Sequence, residues 1–183
     1  VHMSRGLGDV YKRQLYYESK ILKNICTPTL LSGVNGVVSI ASGAHHIACV
    51  DLDGHVWTCG HNYYYQLGNR INEKLCEDLQ VVEGLEDVVN VVCGPYHTLC
   101  MTSQGDVFGF GDNRYSQLGI EDKSDKIGTP TKMLEVKNII SVSCGSSHSM
   151  MLCSNGEVYV CGYNRYYELG VGHNEKQEIP MIH

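Results

Sequence analysis

The feature that most constrains the fold of this chain is an internal repeat. The segment "GHNYYYQLG" (60–68) returns as "GDNRYSQLG" (111–119) and again as "GYNRYYELG" (162–170), each time 51 residues later and without an insertion. A fixed period of this length is typical of solenoids, propellers and other arrays, in which one supersecondary unit packs on the next. The sequence therefore predicts three equivalent structural units.

The match between the copies extends upstream and defines columns of glycine, histidine and asparagine. A repeated glycine indicates a repeated turn or a repeated close approach of the backbone, because glycine lacks a Cβ. We expect structural roles for all of these positions, which are Gly43, His46, Gly54, Gly60, Asn62 and Gly68 in the first copy, Gly94, His97, Gly105, Gly111, Asn113 and Gly119 in the second, and Gly145, His148, Gly156, Gly162, Asn164 and Gly170 in the third.

Each copy has the pattern of a β-meander. A first run rich in β-branched residues ends at a glycine in "VVSIAS" (37–42), "VVNVVC" (88–93) and "IISVSC" (139–144). A second run begins at the column histidine, and a third follows a tight turn such as Asp53-Gly54. Three strands connected in this way are predicted to form an antiparallel sheet.

A fourth, outer strand is predicted in segments 27–31, 79–85, 129–134 and 179–182. Three of them contain a proline, and proline is confined to strand starts and sheet edges. We therefore predict an all-β fold, a β-propeller segment of about three four-stranded antiparallel blades in an incomplete ring. The repeat units are expected at about 27–77, 78–128 and 129–179, followed by the start of another.

The motifs G-x-x-H, G-x-V-aromatic-x-x-G-x-N and Q-L-G together resemble the regulator of chromosome condensation repeat family. The resemblance spans about residues 27–183 and implies a seven-bladed propeller, of which this chain contains only part. We expect a fragment of a larger protein, cut within the repeat array, in which the terminal "IPMIH" begins a further unit. The alternative is a short open stack that completes itself by oligomerising.

The chain departs from the family pattern in two columns. The usual tryptophan before the third glycine is replaced by Cys59, Phe110 and Cys161. The usual glycine before Gln-Leu-Gly is replaced by Tyr65, Ser116 and Tyr167. These changes indicate a diverged member of the family.

Charge and hydropathy exclude several classes of function. The formal net charge is −6 and there is no basic run, whereas binding of nucleic acid or of an anionic membrane requires clustered Lys and Arg. No stretch approaches the roughly 18 apolar residues of a transmembrane helix. Residues 1–14 do not fit the repeat and are expected to be non-native or disordered. We expect neither nucleic acid nor a membrane as a partner.

The chain has nine cysteines but no C-x-x-C pair. Several occupy equivalent positions in apolar runs, such as Cys49 with Cys100 and Cys93 with Cys144, where a free cysteine behaves as a small apolar residue. We expect reduced thiols, with disulfides or zinc as the alternatives, and hence an intracellular location in the cytoplasm, the nucleus or both.

The histidine column raises the question of a metal or catalytic site. A functional site is rarely present in triplicate, so we expect His46, His97 and His148 to be structural and to bond to nearby backbone at the strand start. No P-loop motif is present. We predict no catalytic, cofactor-binding or metal-binding residue, no cofactor and no small-molecule ligand.

The tyrosines divide into two groups. Tyr64, Tyr115 and Tyr166 form a column, which favours packing between blades. Variable positions beside this column carry residue types that dominate protein interfaces, and we predict partner contacts there for Tyr63, Tyr65, Arg114 and Arg165. The dissimilar polar segments 69–80, 120–129 and 171–179 could also select a partner, or could be plain solvated connections.

Two functions remain open. The repeated scaffold without a catalytic constellation favours a non-enzymatic protein–protein interaction scaffold. The family resemblance implies an alternative, a guanine-nucleotide exchange factor for a small Ran-like GTPase, which would act by preferring the nucleotide-free GTPase. A chromatin-bound protein is a weaker third hypothesis because the chain is acidic.

Overall fold

We describe the computed structural model over residues 28, 30–70 and 73–182, without the side chains of Met181 and Ile182. The chain divides into two units, 1–32 and 33–183. The described residues of the first unit, 28 and 30–32, contain no helix or strand. Segment 1–14 lies outside the described residues, and the strand expected at 27–31 is not found among those that are described there.

The described residues of the second unit form twelve β-strands in three four-stranded sheets. The first sheet contains β1 (Val37–Ser42), β2 (His46–Asp51), β3 (Val56–His61) and β4 (Leu75–Val81). The second contains β5 (Val88–Cys93), β6 (His97–Thr102), β7 (Val107–Asp112) and β8 (Lys126–Lys132). The third contains β9 (Ile139–Cys144), β10 (His148–Cys153), β11 (Val158–Gly162) and β12 (Gln177–Ile182).

All neighbouring strands are antiparallel and follow chain order within each sheet. The register repeats as well, since the column histidine faces the column glycine of the next strand in His46↔Gly60, His97↔Gly111 and His148↔Gly162. The predicted all-β fold of three four-stranded antiparallel blades is confirmed, and we call the sheets blades 1, 2 and 3.

The apolar core lies between the blades. Leu99, Met101 and Val107 of blade 2 pack in one buried cluster with residues of blade 3. Cys100 and Phe110, which point to the opposite face, pack in a second cluster with residues of blade 1. Alternation along each strand thus places one face of blade 2 against each neighbour. Strand β5 also contacts both β1 and β9, so the first strands of the blades lie side by side.

The face of blade 3 that points away from blade 2 is more exposed to solvent than the equivalent face of blade 2. Met150 and Leu152 are 44% and 37% exposed, whereas Leu99 and Met101, one period earlier, are 0% and 7% exposed. The difference arises because blade 3 packs on the buried residues of blade 2, while no described sheet packs on Met150 and Leu152. Blade-to-blade contact therefore buries this apolar face.

The outer strands differ from the prediction. They begin at residues 75, 126 and 177, in each case earlier than the predicted starts at 79, 129 and 179. Part of each presumed inter-copy segment therefore lies in strand β4, β8 or β12. Segment 179–182 does not begin a new unit, because it lies in β12 and pairs with β11 of the same blade. The blades span residues 37–81, 88–132 and 139–182, so the predicted repeat units at 27–77, 78–128 and 129–179 begin too early. The described residues contain no helix able to cross a membrane.

Candidate functional site

The loops of all three blades that carry the tyrosines lie at the same end of the strands. In an antiparallel sheet the β1–β2 and β3–β4 connections share one end, and the β2–β3 hairpin at Asp53-Gly54 lies at the other. Glycine has positive φ in each of these hairpins, 81° at Gly54, as predicted. We call the first end, formed by the described loop residues 43–45, 62–70, 73–74, 94–96, 113–125, 145–147 and 163–176, the tyrosine rim.

A buried asparagine anchors each long loop of the tyrosine rim. The Asn113 side-chain oxygen accepts from the Leu118 backbone N–H at 3.2 Å. Its side-chain nitrogen donates to the carbonyls of Asp122 and Ser124 at 3.1 and 3.3 Å. The same bond to a leucine N–H recurs at Asn62 with Leu67 and at Asn164 with Leu169. The asparagine column therefore holds both halves of each loop in place.

Within these loops the backbone at each column tyrosine is held by the residues that follow it. The residue after each column tyrosine has a left-handed backbone, with φ of 63° at Tyr65, 60° at Ser116 and 63° at Tyr167. This conformation suits glycine best, which explains why glycine is usual there in the resembled family. The Gln66 side chain also accepts from the Tyr64 N–H at 3.0 Å, and Gln117 and Glu168 do the same one and two periods later.

The histidine column links adjacent blades. The Thr98 hydroxyl of blade 2 donates to the Gln66 carbonyl of blade 1 at 2.9 Å and therefore accepts from His46 Nε2–H at 2.9 Å. Blade 3 repeats the arrangement, with Ser149 donating to the Gln117 carbonyl at 2.7 Å and lying 3.3 Å from His97 Nε2. The expected bond to nearby backbone is thus wrong for His46 and His97, because their partner is the hydroxyl of the next blade.

Burial keeps these histidines neutral. It lowers the pKa of His46 to about 4, with smaller effects of His45 and His61. Burial also lowers the pKa of His97 to about 4, although Asp112 acts in the opposite direction. The G-x-x-H spacing follows from packing, because a Cβ at Gly43 or Gly94 would collide with the imidazole three residues later. These side chains act as inter-blade hydrogen-bond partners.

The structure brings two of the predicted contact residues, Tyr63 and Arg114, into one cluster with Tyr64 and Lys126. The rings of Tyr63 and Tyr64 meet edge to face, 5.1 Å apart. Lys126 Nζ stands 4.0 Å from the Tyr63 ring centre and 5.0 Å from that of Tyr64. The Arg114 guanidinium lies 4.6 Å from the Tyr64 ring centre. We call these four residues the cation–tyrosine patch.

Tyr65 and Arg165 lie outside this patch. The Tyr65 ring is half-buried and faces Gly128 of blade 2, where a Cβ would lie 3.7 Å from its Cγ. Arg165 is exposed on blade 3. Lys126 could not be singled out from the sequence, because it starts the outer strand β8 and its equivalents in the other blades are Leu75 and Gln177.

The tyrosine column packs between blades where a following blade is present. Tyr64 lies 4.9 Å from Tyr96 of blade 2, and Tyr115 lies 4.8 Å from Tyr163 of blade 3, measured between ring centres. The predicted inter-blade role is confirmed for these two. Tyr166 is 75% exposed and lies 6.3 Å from Tyr163 of its own blade.

At the opposite end, Asp51, Asp53 and His55 form the one cluster of potential metal ligands among the described residues. The Asp51 carboxylate, however, already accepts from Trp57 Nε1 at 2.8 Å and from the backbone N–H groups of Asp53 and His55 at 3.0 and 2.9 Å. Burial raises the pKa of Asp51, but the bonds from Trp57 and His55 outweigh it and the net pKa is lowered. This carboxylate anchors the hairpin.

Cys93, Cys100 and Cys161 are poor nucleophiles. All eight in the described residues are free thiols. Burial raises the pKa of Cys93 and of Cys161 to about 12, and it raises the pKa of Cys100 further. A thiol with so high a pKa supplies almost no thiolate at neutral pH. Cys161 packs in the cluster between blades 2 and 3, and Cys93 and Cys100 pack in the cluster between blades 1 and 2.

Comparison with known families agrees with this geometry. The model described as the regulator of chromosome condensation (RCC1) repeat matches residues 53–101, 104–152 and 155–182. The chain belongs to the RCC1 repeat family. A second model of the same repeat matches 37–66, 88–117 and 139–168, which begin at the first strand of each blade.

Known proteins with RCC1 repeats differ widely in size. Human protein RCC2 is 34% identical over 173 residues, which cover 90% of this chain and 33% of RCC2. The human E3 ubiquitin-protein ligase HERC2 is 34% identical over 161 residues, 84% of this chain but 3% of that protein. The chain therefore spans a third or less of the length of these relatives.

The fold is also that of yeast RCC1 (Prp20). This chain superposes on Prp20, in a crystal structure of Prp20 bound to Kap60, with a TM-score of 0.75 at 25% identity. The superposition covers 82% of this chain and 37% of Prp20. A second structure, of Prp20p from Saccharomyces cerevisiae, gives a TM-score of 0.71 at 25% identity and covers 82% and 39%, respectively. Its description names binding properties to Gsp1p and histones.

Proposed function

We propose that this chain is a propeller segment of a larger protein and works as a non-enzymatic interaction scaffold that holds a partner protein on the tyrosine rim. The observation that carries the proposal is the cation–tyrosine patch. Tyr63 is 48% exposed, yet it belongs to a loop anchored by Asn62 and fixed at Tyr64 by Gln66. Exposed aromatic and arginine side chains on a rigid support are typical of interface hot spots.

The chemistry of the remaining residues supports a binding role. The described histidines with inter-blade bonds are buried and neutral, and the buried thiols have raised pKa values. Neither group meets the needs of a general base or nucleophile that must be reactive and reachable by substrate. The free thiols also support work in a reducing compartment, the cytoplasm, the nucleus or both.

Paired surface variants test the proposal. Tyr63→Ser removes an exposed side chain from the tyrosine rim, and Leu52→Ser removes one, 77% exposed, from the hairpin at the other end. We expect quantitative affinity capture by the 183-residue chain to lose specific partners with Tyr63→Ser and to retain them with Leu52→Ser. Equal partner sets for wild type and Tyr63→Ser would contradict an interaction role for this rim.

A second function, nucleotide exchange on a Ran-like small GTPase, is supported by the family and by the binding of Prp20p to Gsp1p. It needs no catalytic base and is therefore compatible with the same rim. A nucleotide-release assay on a panel of small GTPases, with the chain and with its full-length parent, tests it. Release at the spontaneous rate for every GTPase would refute exchange activity and leave the scaffold function standing.

A further inference from the structure

The cation–tyrosine patch has a fixed shape and a fixed charge. Besides standing over two tyrosine rings, Lys126 donates from Nζ to the Tyr63 carbonyl at 3.0 Å. Arg114 is held by Asp112, with Nε 2.8 Å from Oδ1 and a terminal nitrogen 3.0 Å from Oδ2. Both cations are therefore pre-positioned, and a partner that binds them loses less side-chain entropy than it would on mobile lysines.

The patch also has unused capacity to donate hydrogen bonds. An ammonium group has three N–H donors, and the Tyr63 carbonyl takes one from Lys126. None of the ion pairs formed among the described residues involves Lys126. The exposed Tyr63 ring beside it offers an apolar surface. The combination suits a ligand that has a carboxylate next to an apolar side chain.

The positive charge of the cation–tyrosine patch favours an acidic partner over a basic one. A cation from a partner would meet rings that already hold Lys126 and Arg114, and like charges would repel it. The hydrogen bond to Asp112 raises the pKa of Arg114, so this side chain stays charged. Nucleic acid is disfavoured as well, because it requires an extended basic surface whereas the whole chain carries −6.

The patch occurs once among the three blades. The residue equivalent to Lys126 is Leu75 in blade 1 and Gln177 in blade 3. The position of Tyr63 is taken by Arg114 in blade 2 and by Arg165 in blade 3. Only the junction of blades 1 and 2 therefore combines two adjacent tyrosines with a lysine from the next blade.

Building on the proposed interaction role, we propose that the cation–tyrosine patch binds an acidic segment of the partner protein. A partner carboxylate accepts hydrogen bonds from Lys126, and an adjacent apolar side chain packs on Tyr63. The interaction is electrostatic at the surface and therefore weakens as salt screens it.

Fluorescence anisotropy with the 183-residue chain tests this assignment. The probe is a short fluorescein-labelled peptide of alternating glutamate and leucine, compared with Gln–Leu and Lys–Leu peptides and with a thymidine oligonucleotide of equal length. We expect only the Glu–Leu peptide to bind, and to bind less tightly in about 500 mM than in about 50 mM NaCl. Equal or tighter binding of the Lys–Leu peptide or the oligonucleotide, or no binding of the Glu–Leu peptide, would overturn the assignment.

Charge-matched variants locate the site. Lys126→Gln should weaken Glu–Leu binding about fivefold, the upper range for an exposed ion pair, and Lys126→Arg should largely restore it. Tyr63→Ala should weaken it about thirtyfold, as for an interface hot spot. The control is Lys176→Gln, because Lys176 is on the same rim in blade 3 and is paired with Glu178 at 2.9 Å; we expect less than about a twofold change.

Far-UV circular dichroism and the urea midpoint of each variant verify folding. Equal losses for Lys126→Gln and Lys176→Gln would mean that binding follows total charge, and the proposed site would be wrong. If the peptide data overturn the acidic ligand while Tyr63→Ser still loses partners in affinity capture, the interaction role stands and only the chemistry of the partner is wrong.

Discussion

Replacing Thr98 by valine tests how the blades are joined. Valine has nearly the shape of threonine but lacks the hydroxyl that donates to the Gln66 carbonyl and accepts from His46, both at 2.9 Å. Thr98 and Gln66 are 0% exposed and His46 is 3% exposed, so water cannot replace the lost partner. Each buried polar group left unpaired costs about 1–3 kcal/mol.

Two such groups, the Gln66 carbonyl and His46 Nε2–H, would together cost roughly 2–6 kcal/mol. The additional buried methyl of valine returns about 1 kcal/mol. We therefore expect Thr98→Val to lower the free energy of unfolding by about 1–5 kcal/mol, a substantial part of the 5–15 kcal/mol typical of a domain. Urea titration followed by the fluorescence of Trp57, the one tryptophan in the sequence, measures it.

Thr98→Ser is the matched control, because blade 3 has serine at the equivalent position, Ser149. It keeps the hydroxyl and loses one buried methyl, which costs about 1 kcal/mol. If Thr98→Val proves as stable as Thr98→Ser, the inter-blade hydroxyl contributes no net stability and the reasoning is refuted. Far-UV circular dichroism of both variants verifies that the β-fold is retained.

Three further predictions concern stability. Gly94→Ala should lower the urea midpoint by an amount equivalent to about 3 kcal/mol. The new Cβ would collide with the His97 imidazole and lie 2.8 Å from the Gly145 carbonyl oxygen, and an unchanged midpoint would contradict this packing. Ser116→Gly should raise the free energy of unfolding by up to about 1 kcal/mol in the same assay, since it relieves a left-handed backbone, and a loss would show that the serine side chain matters more. His46 and His97 have pKa values of about 4, below the usual 6.5. Their contribution to the free energy of unfolding is therefore complete above pH 6.5 and is lost as the pH falls towards 4. Urea titrations should give a free energy of unfolding lower by about 2 kcal/mol per histidine at about pH 5 than at about pH 7.5. The decrease should be smaller in His97→Gln than in the wild type, and equal decreases in the two proteins would exclude the contribution of His97.

The accuracy of sequence-based prediction varied with the position of a strand in its blade. The first strands at 37–42, 88–93 and 139–144 were predicted at their observed bounds, because β-branched runs ending at glycine have few other solutions. The outer strand β4, "LCEDLQV", is mostly exposed and has no such pattern. Its start at residue 75 is set by the loop anchored at Asn62, which is a tertiary contact.

The candidate site was predictable only in part. Tyr63 and Arg114 stand out because they interrupt a column of the repeat. Lys126 belongs to no column, and it reaches Tyr63 only because the outer strand of blade 2 lies beside the loop of blade 1. In the same way, the sequence indicates a structural His46 but gives no sign of its partner Thr98, which is 52 residues away.

The amino-acid sequence by itself determines the blade, since glycine positions, hairpin turns and strand alternation are local and recur every 51 residues. The tertiary structure decides which residues of one blade meet those of the next. That outcome depends on how the sheets pack and twist against each other, which is set by the volumes of buried residues such as Phe110 and Leu99 on both faces of a blade. The inter-blade hydrogen bonds and the cation–tyrosine patch are products of that packing.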